Sequence, residues 1–296
     1  MITYAIVIPT YNEEHSIERL LDSLFLATRQ SMEQLTSIFI IDDASTDKTL
    51  LRVEAWHNEH QNIPVTILGR SVRSGKINLI NFALREIGPT ADLLFLFDAD
   101  VRVEMSAISR ILQHFMQDPD LAIVWGGALP DPQIKSWRYA ASAAQMRLAY
   151  LAASNEPPSF IRAEGKITAL RSSAFSEAYL DPRLINDDYQ LSVETMKRGL
   201  TSHSEMKAIV YAIPASSLRD FAIQTYRWNQ GESLSLDKLP TPSVRAKFTA
   251  LFHVLLSSPL ALGVYIFYRV VIRIMKSKWD HPISAQWPIA QTTKRL

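Results

Sequence analysis

The chain has 296 residues, a formal net charge of +1 and no cysteine. The near-neutral charge excludes the strongly basic surface on which general nucleic-acid binding depends. The lack of cysteine excludes disulfides and thiol chemistry. Hydrophobic residues make up 47% of the chain, enough for a sizeable folded core. No basic stretch followed by an apolar one opens the chain, so we expect no signal peptide and a cytosolic folded part.

The first hundred residues alternate between apolar runs and amphipathic stretches. The runs predict strands at 5–9, 37–41, 64–69 and 93–97, and the stretches predict helices at 16–28, 48–60 and 77–87. Strands that alternate with helices are typical of βαβ units and a parallel sheet covered by helices.

Two carboxylates follow the fourth predicted strand. The run Leu93–Phe97 is apolar without a break, which suits a strand buried on both faces, and Asp98 and Asp100 come directly after it. Ligands of parallel sheets bind at the carboxyl ends of the strands. Two close carboxylates repel each other, and a hard cation relieves that repulsion. A simple strand-end turn is the alternative interpretation.

Polar loops also follow the first three predicted strands. Residues 10–14 form the first loop, and residues 42–49 form the second, in which Thr46 or Asp47 is placed to cap the next helix. Residues 70–76 form a basic loop with Gly75. Further on we predict a helix at 106–117 and a strand at 122–125 that ends at two glycines, followed by a helix at 134–154.

Three of these segments together resemble the inverting glycosyltransferases of family 2. They read Val7-Ile8-Pro9-Thr10-Tyr11-Asn12-Glu13-Glu14, Ile41-Asp42-Asp43-Ala44-Ser45-Thr46-Asp47-Lys48-Thr49 and Asp98-Ala99-Asp100. The resemblance covers about residues 3–235. It implies the GT-A fold, an α/β architecture with a Rossmann-like, mostly parallel sheet flanked by helices.

The same resemblance implies a donor site. In relatives the first loop and the Asp-Asp pair hold the nucleotide, so its nucleotide-binding residues are expected to be Pro9, Tyr11, Glu13 and Asp43. A carboxylate suits the imide N–H of uracil as a hydrogen-bond acceptor.

The resemblance also places groups at the diphosphate. Lys76 is expected near it with help from Arg73, Asp98 is expected near the ribose, and Asp100 is expected to bind Mg²⁺ or Mn²⁺. Such an ion neutralises charge on the leaving nucleoside diphosphate. A solvated lysine at a helix start is the alternative for Lys76.

The acceptor side is implied by two later segments. Residues 164–172 resemble the acceptor-side strand, with Lys166 as an unusual occupant, and the pair Asp187-Asp188 resembles the acidic pair that opens a helix. The second member of the pair corresponds to the general base, so we assign Asp188 that role and expect Asp187 only to cap the helix. The alternative is that both aspartates cap it.

A further motif indicates the membrane-linked branch of the family. Gln224, Arg227 and Trp228 match Gln-x-x-Arg-Trp and share one face of a helix. This motif is expected at the acceptor and the diphosphate, where the tryptophan can form an apolar floor for a sugar and the arginine can contact phosphate. The resemblance is to cellulose, chitin and hyaluronan synthases and to several lipid glycosyltransferases. A helix that simply packs its tryptophan is the alternative.

The end of the chain has a different character. Residues 248–268 contain no formally charged residue, and a helix of that length spans about 30 Å. Basic residues flank the run on both sides, and Ser257-Ser258-Pro259 can break it into two interfacial or re-entrant helices. We therefore predict a catalytic domain at 1–240 and a C-terminal apolar, membrane-associated helical segment with its tail at 241–296. A helix that packs on the catalytic domain is the alternative.

The sequence thus predicts a metal-dependent inverting glycosyltransferase at the cytosolic face of the cell membrane. Its donor is a nucleotide sugar, UDP-linked, and its acceptor is a hydroxyl group on a lipid or membrane-proximal glycan. A processive polysaccharide synthase is the second hypothesis, and an inactive sugar-nucleotide-binding protein is the third.

Overall fold

A computed structural model describes residues 1–161, 166–184, 186–234 and 237–275, without the side chains of 227–234 and of Met275. The strands are β1 Tyr4–Thr10, β2 Leu35–Asp42, β3 Val65–Gly69, β4 Leu93–Phe97, β5 Val101–Val103, β6 Leu121–Pro130, β7 Ile167–Arg171 and β8 Thr201–Ala212. The helices are α1 Ile17–Thr28, α2 Thr49–Glu59, α3 Lys76–Phe82, α4 Ala107–Gln117, α5 Ala140–Ser154, α6 Ser172–Phe175, α7 Asp187–Lys197, α8 Leu218–Leu234, α9 Val244–Ser257 and α10 Pro259–Met275.

The eight strands form one sheet in the order β3-β2-β1-β4-β7-β6-β8-β5. Strands β3, β2, β1 and β4 are parallel, as predicted. Strand β7 runs antiparallel to β4 and β6, and β5 runs antiparallel to β8. The prediction of a mostly parallel sheet therefore holds for the first half only, and the whole sheet is mixed. The reason is that β7 begins beside the end of β4, with Ile167 opposite Phe97, and must run back.

The sheet is covered on both faces. Tyr4, Ile6 and Ile8 of β1 join one buried cluster, which includes residues of α1, α2 and α4. Ala5 and Val7 point to the opposite cluster, which includes residues of α3 and α7. The side chains of β4 alternate between the two clusters in the same way, and all five of its residues are buried. This confirms the two-sided burial that its unbroken apolar run predicts.

Strand β6 is longer than predicted. It continues through Gly126 and Gly127 to Pro130, because the glycines let β8 approach closely rather than ending the strand. A Cβ at Gly126 would lie 2.6 Å from the carbonyl oxygen of Ala208. The pairing between β6 and β8 changes register at this point.

Two helices end the described part of the chain. They break at Ser258, before Pro259, so the predicted break into two helices is confirmed. The interfacial or re-entrant placement of these helices stays a prediction. The buried sides of both helices pack against α5, with Ala144, Val254 and Leu262 in one cluster. Within residues 1–275, as far as they are described, no helix combines the length and apolar character needed to cross a membrane.

Candidate active site

The predicted donor residues meet at one edge of the sheet. Thr10, Asp42 and Gly69 end β1, β2 and β3 in matching register, and Asp98 directly follows β4. Carboxyl ends of parallel strands are where such sheets bind ligands. The sequence motifs therefore converge on one place.

The loops that follow β1 and β2 are joined by hydrogen bonds. Asn12 and Ala44 have φ values of 54° and 62°, in the left-handed region. The backbone N–H of Asn12 donates to Ser45 Oγ at 2.9 Å, and its Oδ1 accepts from the N–H of Thr46 at 2.8 Å. Non-glycine residues with positive φ are uncommon, and their occurrence in two adjoining strand-end loops is typical of a functional site.

The predicted nucleotide residues have different local environments. Pro9 lies inside β1, opposite Ile41 of β2. Glu13 accepts a hydrogen bond from Ser16 Oγ at 2.6 Å, next to the start of α1. The Tyr11 ring lies under the guanidinium of Arg73, with 4.0 Å between the Arg73 Cζ atom and the ring centroid.

Asp43 holds the loop that precedes α3. Its buried carboxylate accepts from Ser74 N at 2.6 Å, Ser74 Oγ at 2.9 Å and Gly75 N at 2.8 Å. Gly75 has a φ of 90°, which favours glycine, and Lys76 then begins α3. Asp43 thus fixes the backbone from which Lys76 reaches into the site.

Two lysines and three aspartates form a chain of ion pairs. Lys76 Nζ lies 2.8 Å from Asp187 Oδ2 and 2.6 Å from Asp98 Oδ1. Lys166 Nζ lies 3.1 Å from Asp98 Oδ2 and 2.7 Å from Asp100 Oδ1. The Asp98 carboxylate therefore has one ammonium on each oxygen.

These contacts determine the charge states of Asp98, Lys76 and Lys166. Burial raises the pKa of Asp98, but the ammoniums of Lys76 and Lys166 outweigh it and hold that pKa below its usual range. Burial lowers the pKa values of both lysines, and their aspartate partners more than offset it and raise them. Asp98 is therefore ionised, and both lysines are protonated, at neutral pH.

The pKa of Asp188 is shifted in the opposite direction from that of Asp98. Burial, and then the negative charge of Asp187, raise the pKa of Asp188 to about 7. It lies in the first turn of α7, where Oδ1 accepts from the N–H of Tyr189 at 2.8 Å. A carboxylate with a pKa near neutrality is a strong enough base to take a proton from a hydroxyl group in a transition state.

Asp187 does more than the capping role expected of it. Asn186 is the N-cap residue of α7, and the Asp187 side chain forms the ion pair with Lys76. The expectation that Asp187 only caps the helix is wrong, because its carboxylate is directed towards the lysine of α3.

The Gln-x-x-Arg-Trp motif lies in α8. The buried Gln224 Oε1 accepts no hydrogen bond from any described residue. The side chains of Arg227 and Trp228 lie outside the described part of the chain. Their roles stay predictions.

The sequence did not predict the ion-pair contacts of Lys166 and Asp131. Lys166 stands out in the sequence as an unusual occupant, but nothing in the linear pattern pairs it with Asp98 and Asp100. A further buried carboxylate, Asp131, accepts from Arg19 and Arg102 at 3.3 Å. It links α1 and β5 to the end of β6 through residues that are distant in sequence.

Comparison with known proteins identifies the family. A family model described as Glycosyl transferase family 2 matches residues 5–177, and one described as Glycosyl transferase family group 2 matches residues 93–285. The chain belongs to glycosyl transferase family 2. This glycosyltransferase carries its donor-side motifs, from Pro9 to Asp100, inside the first match.

Curated relatives of this family 2 glycosyltransferase are distant. One is a poly-beta-1,6-N-acetyl-D-glucosamine synthase of Staphylococcus aureus, 25% identical over 228 residues, which are 75% of this chain and 52% of the relative. Another is an undecaprenyl-phosphate 4-deoxy-4-formamido-L-arabinose transferase of Photorhabdus laumondii, 28% identical over 118 residues, which are 40% of this chain and 35% of the relative. The chain spans about half the length of the synthase.

Solved structures show the fold. A mannosyltransferase of Pyrobaculum calidifontis, in complex with GDP-Man and Mn²⁺, has a TM-score of 0.65 and 18% identity, over 95% of this chain and 88% of that one. Residues 1–349 of Staphylococcus aureus TarS, in complex with UDP, give a TM-score of 0.54 and 15% identity, over 86% and 71%. The predicted GT-A fold is confirmed.

Proposed function

We propose that this glycosyltransferase moves a sugar from a UDP-linked donor to a hydroxyl group, with inversion at the anomeric carbon. The observation that carries the proposal is Asp188. It is a carboxyl group with a pKa of about 7, beside the aspartate–lysine chain of ion pairs. Structures of similar fold bind UDP or GDP-Man, which supports a nucleotide-sugar donor.

In this reaction Asp188 acts as the general base. Its ionised carboxylate accepts the proton of the acceptor hydroxyl while that oxygen forms a bond to the anomeric carbon. The bond from this carbon to the diphosphate oxygen breaks, and the diphosphate leaves with the electron pair. Attack from the face opposite the leaving group inverts the configuration. Positioning both substrates in the cleft supplies much of the remaining rate.

Positive side chains stabilise the leaving diphosphate. Lys76 is protonated and lies between Asp98 and Asp187. Arg73, from the preceding loop, covers the Tyr11 ring and lies 4.0 Å from Asp43 Oδ2. We assign Pro9, Tyr11, Glu13 and Asp43 to the nucleoside side.

The carboxylate oxygens of the site are suitable ligands for a divalent cation. Carboxylate oxygens are the ligands that Mg²⁺ and Mn²⁺ prefer, and the described contacts of Asp100 fall on Oδ1. Asp100 would hold the ion, and Asp98 would lie beside the ribose. A bound ion supplies charge neutralisation on the leaving group. Mn²⁺ in the complex of the Pyrobaculum enzyme supports this assignment.

The C-terminal helices support a membrane-surface location. Helices α9 and α10 expose large apolar side chains on the sides that face away from α5, including Phe248 at 70%, Leu256 at 68% and Phe267 at 62% exposure. Basic side chains lie at the outer ends of the two helices, among them Lys247 near the start of α9 and Arg273 in the last turn of α10. Apolar helices with basic flanks bind in the plane of an anionic lipid surface. We place this surface at the cytosolic face of the membrane, with a lipid or membrane-proximal glycan as acceptor.

Vesicle flotation tests the membrane location. Phe252→Glu combined with Leu256→Glu should release the protein from vesicles that contain anionic lipid. Leu51→Glu is the matched control, because Leu51 is 64% exposed on α2, outside the C-terminal helices. Retention of the double variant on vesicles contradicts the proposal. Loss of self-association instead of vesicle binding would assign the surface to a second copy of the chain.

A donor panel tests the reaction. The protein is offered UDP-sugars and GDP-mannose together with membrane extract, with and without Mn²⁺, and products are read by mass, with Asp188→Asn as the inactive control. A product with one added sugar supports the proposal. A ladder of added sugars supports the second candidate, a processive synthase, which the match to the poly-N-acetylglucosamine synthase favours. Nucleotide binding without hydrolysis or transfer would indicate the inactive binding protein.

A further inference from the structure

Lys166 contacts both carboxylates of the Asp98-Ala99-Asp100 segment, of which Asp100 is the one assigned to the cation. Its Nζ atom is 3.1 Å from Asp98 Oδ2 and 2.7 Å from Asp100 Oδ1. An ion held by Asp100 would need a carboxylate oxygen at about 2.0–2.1 Å, so it would compete with the Lys166 ammonium for Asp100 Oδ1. The positive charge already between the carboxylates also repels an incoming dication at short range.

We propose that Lys166 is a built-in competitor of the divalent cation, released when the nucleoside diphosphate binds. The inference rests on the proposed function, because it takes a diphosphate as the ligand. With the nucleotide absent, the ammonium neutralises Asp98 and Asp100. With the nucleotide present, a phosphate oxygen gives the ammonium a new partner, and the cation takes its position at Asp100.

The local backbone allows this exchange. The N–H of Asp98 donates to the carbonyl oxygen of Lys166 at 3.3 Å, at the start of β7. The lysine backbone is thus held beside Asp98, and only the flexible four-carbon side chain has to move. Lys76 pairs with the other oxygen of Asp98 at 2.6 Å.

The consequence is that cation and nucleotide bind cooperatively. The three aspartates and two lysines of the chain of ion pairs have one net negative charge, which attracts a dication weakly while Lys166 is in place. A diphosphate draws Lys166 away and adds oxygen ligands, so each ligand tightens the binding of the other by the same factor.

Mn²⁺ titration of the nucleotide-free protein, followed by electron paramagnetic resonance, tests the competition. Lys166→Met removes the charge and keeps most of the stem, and it should tighten Mn²⁺ binding at least tenfold. Its cooperativity with UDP should fall by a similar factor. Lys166→Arg keeps the charge and should resemble the wild type. Adding Asp100→Asn to Lys166→Met should abolish the gain.

The outcomes separate the two proposals. Unchanged or weaker Mn²⁺ binding in Lys166→Met overturns the competitor role, whether or not UDP binds. If Lys166→Met tightens Mn²⁺ but UDP has no effect on any variant, the competition stands and the assigned diphosphate ligand fails. All titrations use a His203→Ala background, because His203, His114 and Glu205 form a separate cluster of potential metal ligands that would compete for Mn²⁺.

A separate cluster lies between α4 and β8. His114 of α4 faces His203 and Glu205 of β8, and their ligand atoms lie within 4.8 Å of one another. His114 Nε2 is 2.8 Å from Glu205 Oε2, and the two imidazole rings are 4.0 Å apart between centroids. The guanidinium of Arg110 also lies near Glu205, and its Nε donates to Ser106 Oγ at 2.9 Å.

The geometry points to a second metal site at this cluster, for a transition metal such as Zn²⁺ or Co²⁺. Two imidazoles and one carboxylate are typical zinc ligands, whereas Asp98 and Asp100 offer only the oxygen ligands of Mg²⁺ and Mn²⁺. A ligand pair on alternate residues of β8 has both side chains on one face of the strand, towards α4. Such a site would tie the helix to the sheet.

Co²⁺ titration followed by visible absorption tests this second site. The wild type should bind one Co²⁺ with the absorption of a low-symmetry site, and His203→Ala and His114→Ala should lose it. His253→Ala is the matched control, because His253 lies on exposed α9. Absence of this spectrum in the wild type, or its persistence in His203→Ala, shows that the cluster is only a histidine–glutamate ion pair.

Discussion

The ammonium of Lys76 lies 2.8 Å from the carboxylate of Asp187. This ion pair joins the first residue of α3 to the first residue of α7 and so connects the predicted donor side of the site to the predicted acceptor side. It also leaves Asp188, the next residue, without a lysine of its own among the described ion pairs and beside a negative charge. The two adjacent aspartates therefore have different electrostatic environments.

Asp188→Asn should lose transfer while donor binding persists. Asparagine keeps the shape of the side chain but cannot accept the proton, and a general base contributes about 10²–10⁴-fold in rate. We expect at least a hundredfold loss in kcat, with UDP affinity within a few-fold of the wild type. Steady-state rates and UDP titration on the same preparations measure both. Near-normal transfer by Asp188→Asn would show that another group is the base.

Asp187→Asn should move the pH profile to lower pH. The negative charge of Asp187 raises the pKa of Asp188, and its removal also frees Lys76 to stabilise the ionised Asp188. Both effects lower the pKa of the base, so the ionised form is populated at lower pH. The acidic limb of kcat/KM against pH should therefore shift down from about 7. An unmoved limb contradicts the coupling between the two aspartates.

The stability of the wild type relative to Asp188→Asn should depend on pH. The folded-state pKa of Asp188 is about 7, above the ordinary value of 3.8, so folding favours the protonated form. The contribution of this group is fully present below pH 3.8 and is lost as pH rises to 7. The Tm of Asp188→Asn minus that of the wild type should grow between pH 5 and pH 8.

Asp92→Asn is the control, because the pKa of Asp92 is shifted in the opposite direction from that of Asp188. Hydrogen bonds from Thr3 lower the pKa of Asp92, so this group stays ionised throughout that range and its substitution should cost the same at pH 5 and pH 8. A constant Tm difference for Asp188→Asn as well would mean that Asp188 is ionised in the folded protein at pH 5.

Asp43→Asn should weaken both folding and donor binding. The buried carboxylate accepts three hydrogen bonds from Ser74 and Gly75. An amide nitrogen facing one of these donors leaves it unsatisfied, at a cost of about 1–3 kcal/mol. Urea denaturation should show this loss, and UDP titration should show weaker binding because Lys76 follows directly. Ser74→Ala removes one bond only and should cost less than Asp43→Asn in both measurements.

Gly126→Ala should destabilise the sheet. The new methyl group would lie 2.6 Å from the Ala208 carbonyl oxygen, and overpacking of this kind costs about 1–3 kcal/mol. Gly263→Ala is the matched control, since no atom lies within 4 Å of its added Cβ in α10. There alanine should be neutral or stabilising, by about 0.5–1 kcal/mol. Equal urea midpoints for the two variants would contradict the close approach of β6 and β8.

The donor half of the fold could be predicted from the sequence because its signals are local. Buried strands such as Leu93–Phe97 appear as unbroken apolar runs, amphipathic helices appear as a period of 3.6 residues, and aspartates at strand ends mark the binding edge. The parallel pairing of β1 to β4 and the meeting of Asp43, Asp98 and Lys76 follow from this pattern.

Only the tertiary structure decided the contacts between residues that are distant along the chain. The antiparallel course of β7, the long β6–β8 pairing and the pairing of Lys76 with Asp187 and of Lys166 with Asp100 depend on where the chain re-enters the sheet. Hydrophobic periodicity reports which face of an element is buried, but it carries no information about which charged side chains meet across a cleft. For that reason the sequence identified Asp100 and Asp188 as candidates, and the fold showed that a lysine pairs with the first and that burial beside Asp187 raises the pKa of the second.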